Sequence, residues 1–326
     1  MLLRRLTLAA LACGLLLVPT GFAEGGFLPG LDRVGTDEGE VYAKGCMAGD
    51  TQVRSRVCRF GRPGSERKVV LLGDSHAAHW GGALARLAKR RGWRAVVLAR
   101  ASCPAARVSI DKYCDIWREN ALRRIKRIRP GLTLVGSAAN DQAYSVLRYG
   151  HKLDRDQSEH RLVAGMVRTL RFLKRWSGRV ILIRDQAVAP FDVTDCLREN
   201  WKRARRCGFR TTRSRSRSYD YKAARKVRGV RIIDPQRLLC PGGWCRPLDG
   251  RYLIYRNESH LAATWTRRQD RWLGKRIGHP WKPRGGVASA HRASRRIRDR
   301  ASVPDFPDIF IEKVWPGLAA AGDRRR

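Results

Sequence analysis

Between Lys68 and Gly278, short apolar runs alternate with amphipathic stretches of helical length, and this alternation constrains the fold more than any other feature of the chain. The runs "VVLL" (69–72), "RAVVLA" (94–99), "LTLVG" (132–136), "RVILI" (179–183) and "VRIID" (230–234) read as strands. Helices are expected between them over about 76–91, 114–128, 158–176 and 219–227. The segment "RYLIYR" (251–256) leads into a last helix over about 261–276. Apolar strands separated by amphipathic helices imply an α/β class with a parallel sheet covered on both faces. In such sheets ligands bind beyond the carboxyl ends of the strands. Gly73 to His76 lies at one such end, Asn140 follows another, and His260 follows the last apolar segment. Three polar groups from distant sequence are thereby assigned to one edge.

The stretch "KVVLLGDSHAAHW" (68–80) sets a serine where a buried strand gives way to a helix. A hydroxyl there is exposed, and the backbone N–H of the same residue faces outward to receive an oxyanion. The simpler reading is that Asp74 or Ser75 caps the helix; from the tetrapeptide alone the two are balanced. A nucleophilic serine also needs a base. His76 is its direct neighbour and is directed away, which suits packing or capping better than proton transfer. His260, in "YRNESHLAATW", falls on the expected edge. Asn140, in "LVGSAANDQ", is either an oxyanion donor or an Asn-Asp turn.

The N-terminus has Arg4 and Arg5, an apolar run "LTLAALACGLLLVP" and then "GFA" before Glu24, which reads as a signal peptide (1–23) cleaved near Ala23. A lipoprotein site at Cys13 is disfavoured because apolar residues continue past it. Eight cysteines remain: Cys46, Cys58, Cys103, Cys114, Cys196, Cys207, Cys240 and Cys245. An even set in an exported chain reads as disulfides, and the spacing groups them as four neighbouring pairs closing short loops. Zinc is disfavoured, since the close paired spacing of a zinc site is absent and no histidine lies near in a ligand pattern; no metal and no cofactor are expected. Residues 24–66 read as a loop-like lead-in holding the first disulfide. Residues 280–326 read as a flexible basic extension.

The formal charge of +39 raises nucleic acid as a partner. The basic residues are spread along the chain and are not interleaved with aromatics as on a base-stacking surface, so nucleic acid is disfavoured. A basic surface drawn to anionic wall polymers or a membrane surface is the plainer account, and an arginine bias from a GC-rich genome gives the same count.

"LLGDSHAAHW" together with "YRNESHL" resembles the SGNH hydrolase superfamily, and especially the extracytoplasmic SGNH domains of membrane acyltransferases that O-acylate cell-surface sugars. The resemblance spans about Lys68 to Gly278 and includes the "SCP" after the second strand. It implies a three-layer, flavodoxin-like SGNH domain over 67–279, with Ser75 as nucleophile, His260 as general base, and Ser75 N–H with Asn140 in the oxyanion hole. It further implies O-acyl transfer, acetyl above all, to a surface or wall polysaccharide through an acyl-serine. An esterase of the same fold and an inactive glycan-binding module are the alternatives, and a polyanion-binding protein is a weaker third. Where the family has an aspartate three residues before its histidine, this chain has Asn257; neighbouring Glu258 is the candidate substitute acid. The resemblance also implies either a separate membrane acyltransferase supplying acyl groups or a domain acting alone.

Overall fold

A computed structural model describes residues 26–139, 144–211 and 218–281. Strands β1 (Met47–Ala48), β2 (Cys58–Gly61), β3 (Lys68–Gly73), β4 (Arg94–Arg100), β5 (Leu132–Gly136), β6 (Arg179–Ile183) and β7 (Arg231–Ile233) form one sheet. Its order is β1-β4-β3-β5-β6-β7, all parallel, while β2 runs antiparallel along the first half of β4. From β3 onward this is the doubly wound, flavodoxin-like order, whose switch point lies where β3 and β5 diverge.

The apolar runs supply both faces, because successive side chains along a strand point to opposite sides. Val69, Leu71, Val97, Leu134 and Ile181 pack on one face, Val70, Leu72, Val96, Val135 and Leu182 on the other. Helix α1 (Ser75–Ala78) follows β3, and α2 (Gly81–Arg91) covers the first face with α7 (Ala263–Arg267) and α8 (Asp270–Ile277). Helices α3 (Lys112–Ile128), α4 (Arg155–Trp176) and α6 (Tyr219–Arg225) cover the second through Trp117, Leu122, Met166, Leu170 and Ala223. Three layers result.

Several elements depart from the sequence expectations. The helix expected over 76–91 is two: Trp80 N–H bonds back to Ala77 O, and a new helix opens at Gly81. The last helix likewise divides at Arg268–Gln269. An eight-residue helix, α5 (Val193–Asn200), lies in what reads as loop, begun by the Asp192 side chain, which accepts the Thr194 and Asp195 N–H. The lead-in expected over 24–66 is more than a loop where it is described, since it supplies β1 and β2, which flank β4 on one side of the sheet, and buries Leu31, Val34 and Val41. Asp37 also accepts the Ala263 and Thr264 N–H, tying this segment to α7. Tyr252–Leu253 pairs antiparallel with Leu248–Asp249, outside the main sheet. The disulfides are Cys46–Cys58, Cys103–Cys114, Cys196–Cys207 and Cys240–Cys245, the four local pairs the spacing suggests. Trp281 lies edge-on to Trp93 with ring centres 4.9 Å apart, so packing continues past residue 279.

One glycine is demanded by the turn that ends β3. Gly73 has φ +152°, and a Cβ there would lie 1.8 Å from Gly136 O and 2.6 Å from the Ala77 Cβ. Gly73→Ala must push β3 away from β5 at the strand tip. It is expected to destabilise the fold by about 3 kcal/mol or more, beyond ordinary overpacking because backbone is struck, and to lower the urea midpoint accordingly.

Candidate active site

The loop between β3 and α1 is built around a buried carboxylate. Asp74 is 1% exposed. Its Oδ1 accepts the His76 N–H at 2.9 Å and, more weakly, the Ala77 N–H at 3.4 Å. Its Oδ2 accepts the Ala138 N–H at 2.9 Å and the Tyr144 hydroxyl. Burial pushes the Asp74 carboxyl up, and the His76 charge and the two Oδ2 donors oppose that shift. The cap reading therefore belongs to Asp74. Ser75 N–H takes no part in that cap, and the Ser75 side chain is left to a different partner.

That partner comes from 185 residues away: His260 Nε2 lies 3.0 Å from Ser75 Oγ. The histidine sits in a closed loop in which Arg256 N–H bonds His260 O and Ala262 N–H bonds Ile254 O. Within the loop, Asn257 Oδ1 accepts the Ser259 N–H at 3.0 Å and the His260 N–H at 2.7 Å. These two donors fix which way the amide faces, because its NH₂ group in that place would meet N–H against N–H. The same Oδ1 stands 3.2 Å from His260 Nδ1, and Ser259 Oγ stands 3.1 Å from it. An acceptor at Nδ1 holds the proton on that nitrogen and leaves Nε2 bare toward the serine. The Glu258 side chain is exposed, and its carbonyl accepts the Ala189 N–H. Among the described residues, the groups bonded to the His260 ring are thus Asn257, Ser259 and Ser75.

Among the described residues no carboxylate is hydrogen-bonded to that ring. Burial, then the charges of His76 and Arg256, push the His260 imidazole down to about 3, with Asp185 a small opposing influence. His79 is buried, both its ring nitrogens lack a partner among the described residues, and burial chiefly holds it well below its ordinary value. The rings of His76, His79 and His260 form a cluster with centres 5.0 to 5.2 Å apart.

A second set of residues frames the pair and escaped the sequence reading. Asp185 Oδ1 lies 2.7 Å from His76 Nδ1, and Asp185 Oδ2 accepts the Ala139 N–H at 2.7 Å. Gln186 Nε2 donates to Ser259 O at 2.7 Å, tying the strand end at β6 to the histidine loop. Both residues follow β6 closely, on the edge where a ligand site is expected; that position was their only signal. Ala138 and Ala139 are held by Asp74 and Asp185, whereas Asn140 lies outside the described residues.

The chain matches the family described as "SGNH domain (fused to AT3 domains)" over residues 45–268, and it belongs to that family. Among solved structures it is similar to the periplasmic domain of a lipopolysaccharide acetyltransferase from Salmonella ser. Paratyphi A, with 17% identity and a TM-score of 0.51, covering 73% of this chain and 86% of that one. It is also similar to a GDSL-like lipase from Bacteroides thetaiotaomicron VPI-5482, at 14% identity and a TM-score of 0.38, covering 65% of this chain and 88% of that one. No curated protein matches the sequence. The likeness to the periplasmic domain shows a shared fold. Among the described residues no helix is long and apolar enough to cross a membrane.

Proposed function

We propose that the protein is a serine-dependent acyl-transfer enzyme that moves an O-acyl group, acetyl by preference, onto a hydroxyl of a surface polysaccharide. The 3.0 Å contact between Ser75 Oγ and His260 Nε2, in a chain of the SGNH family, carries this reading. Ser75 Oγ attacks the acyl carbonyl carbon while its proton passes to His260 Nε2. Ser75 N–H, outside the Asp74 cap, donates to the developing oxyanion, with Asn140 as its second donor. The tetrahedral adduct collapses, the donor's C–O bond breaks, and His260 returns the proton to the departing oxygen. An acceptor hydroxyl then gives its proton to His260 and attacks the acyl-serine, which re-forms the Ser75 hydroxyl and yields the new ester. Water in place of the sugar makes the same residues an esterase. The leader-like N-terminus and the periplasmic domain among its structural neighbours support an extracytoplasmic setting, and the family name supports a membrane acyltransferase as acyl source.

The depressed imidazole gives this reading a pH signature. A general base acts in its neutral form, so the rate is retained above the histidine's pKa and lost as pH falls through it. For His260 that fall centres near 3 rather than near 6.5. With p-nitrophenyl acetate, kcat/KM is expected to stay flat from pH 8 down to about pH 5 and to decline only toward pH 3. A decline centred near pH 6.5 would show that another histidine, or a His260 in different surroundings, is the base. The same shift makes stability rise with pH between these two values, because the unfolded chain binds the extra proton there.

A further inference from the structure

A cleft of about 490 Å³ opens beyond the carboxyl ends of β1 and β4, on the same sheet edge as Ser75. Register brings it close to the nucleophile: Gly73 of β3 pairs with Ala99 of β4, so the next residues along are Asp74 and Arg100. One wall residue, Tyr144, bonds through its hydroxyl to the Asp74 carboxylate, one position from Ser75. The remaining lining includes Asp50, Arg100, Ser102, Asp111 and Tyr113.

Its chemistry contrasts with that of the chain around it. The protein carries 68 basic and 29 acidic residues, yet this lining holds two carboxylates against one guanidinium. That guanidinium is committed locally: Arg100 is 1% exposed, its Nη2 bonds Asp50 O and lies 3.5 Å from Asp111 Oδ1, and its buried Nε–H has no partner among the described residues. An anionic ligand would meet more negative than positive charge here. A divalent cation would want more hard ligands than two carboxylates, and no group of three or more acidic, histidine or cysteine side chains suited to a metal exists among the described residues. A neutral polyol fits. Its hydroxyls donate to the carboxylates in charge-assisted hydrogen bonds and accept from the Ser102 hydroxyl, and its C–H faces rest on the tyrosine rings.

The walls are also held stiffly. Ser102 has φ +51°, a left-handed conformation uncommon for serine. The Cys103–Cys114 disulfide, whose first cysteine follows Ser102 directly, closes the loop that carries Asp111. The Asp111 carboxylate also accepts the Cys114 N–H at 2.8 Å, and α3 begins there. Strain that a disulfide and a helix cap maintain is a mark of a preorganised binding surface.

We infer that this cleft is the subsite for the uncharged sugar unit of the acceptor, beside the acyl-serine. The inference rests on the acyl-transfer reading for its role and on the lining alone for its ligand class. The test uses saturation-transfer-difference NMR with the methyl glycosides of glucose, galactose, mannose, rhamnose and N-acetylglucosamine. At least one should give a signal with the wild type and an equal one with Ser75→Ala. That signal should fall at least fivefold in Tyr113→Ala and in Asp50→Asn, each checked for an unchanged thermal midpoint. If no glycoside binds, or if binding survives both cleft substitutions in folded protein, the inference is overturned. Labelling of Ser75 by a fluorophosphonate reports on the catalytic reading separately, so glycoside binding without labelling would keep the cleft and remove the chemistry.

Discussion

Asn257→Asp is expected to raise the acyl-transfer rate by about 10²-fold at pH 7 and to move the acid limb of the pH profile upward. The substituted carboxylate would take the place of an oxygen already 3.2 Å from His260 Nδ1 and already bonded to two backbone N–H groups, so the loop needs no rearrangement. What changes is charge. A full negative charge beside the ring stabilises the imidazolium that forms as Ser75 is deprotonated, whereas an amide oxygen does so weakly. In a serine protease the reverse replacement costs about 10⁴, in large part because the asparagine presents its NH₂ and enforces the wrong tautomer. Here the backbone donors turn the oxygen toward the ring. The tautomer is already right, and the expected gain is smaller than that protease loss. The measurement is kcat/KM against pH for both proteins. An unchanged rate and an unmoved acid limb would mean that Ser259, or a group outside the described residues, already supports the charged ring.

Ser75→Ala should remove turnover by about 10³-fold or more while leaving stability within about 1 kcal/mol. The two expectations separate because the helix cap is Asp74, which keeps its bonds to His76, Ala77 and Ala138 when the hydroxyl is lost. Burst kinetics with p-nitrophenyl acetate and a urea titration of the same sample test both. Residual turnover near the wild-type level would assign the chemistry elsewhere; a large loss of stability would mean that the Ser75–His260 bond is structural.

The central strands were legible because burial on both faces writes them as continuous apolar runs, and β3, β5 and β6 coincide with "VVLL", "LTLVG" and "RVILI" within a residue or two. Strands β1 and β2 were not. Met47–Ala48 has only two residues, and Cys58–Gly61 alternates buried with exposed positions over too short a span to register as a period. Helix α5 carried one signal, the Asp192 cap, and its eight residues are too few to show a helical period. Ser75 was legible from its place after β3, but the apolar segment before His260 lies outside the main sheet, so position on the sheet edge did not by itself bring the two together; the paired motifs "LLGDSHAAHW" and "YRNESHL" did. Asp185 and Gln186 occupy an equivalent place after β6, but a polar residue beyond a strand is ordinary, and only the fold brings Asp185 to His76 and Gln186 to the Ser259 carbonyl. The orientation of the Asn257 amide is a property of backbone donors around it, which composition and spacing do not encode.

The most direct measurement is the site at which a fluorophosphonate bonds covalently to the folded protein, found by peptide mass mapping with Ser75→Ala and His260→Ala alongside. The account predicts one modified residue, Ser75, with no labelling in the first variant and slow labelling in the second. Labelling at a different serine, or none at Ser75 between pH 5 and pH 8, would contradict it.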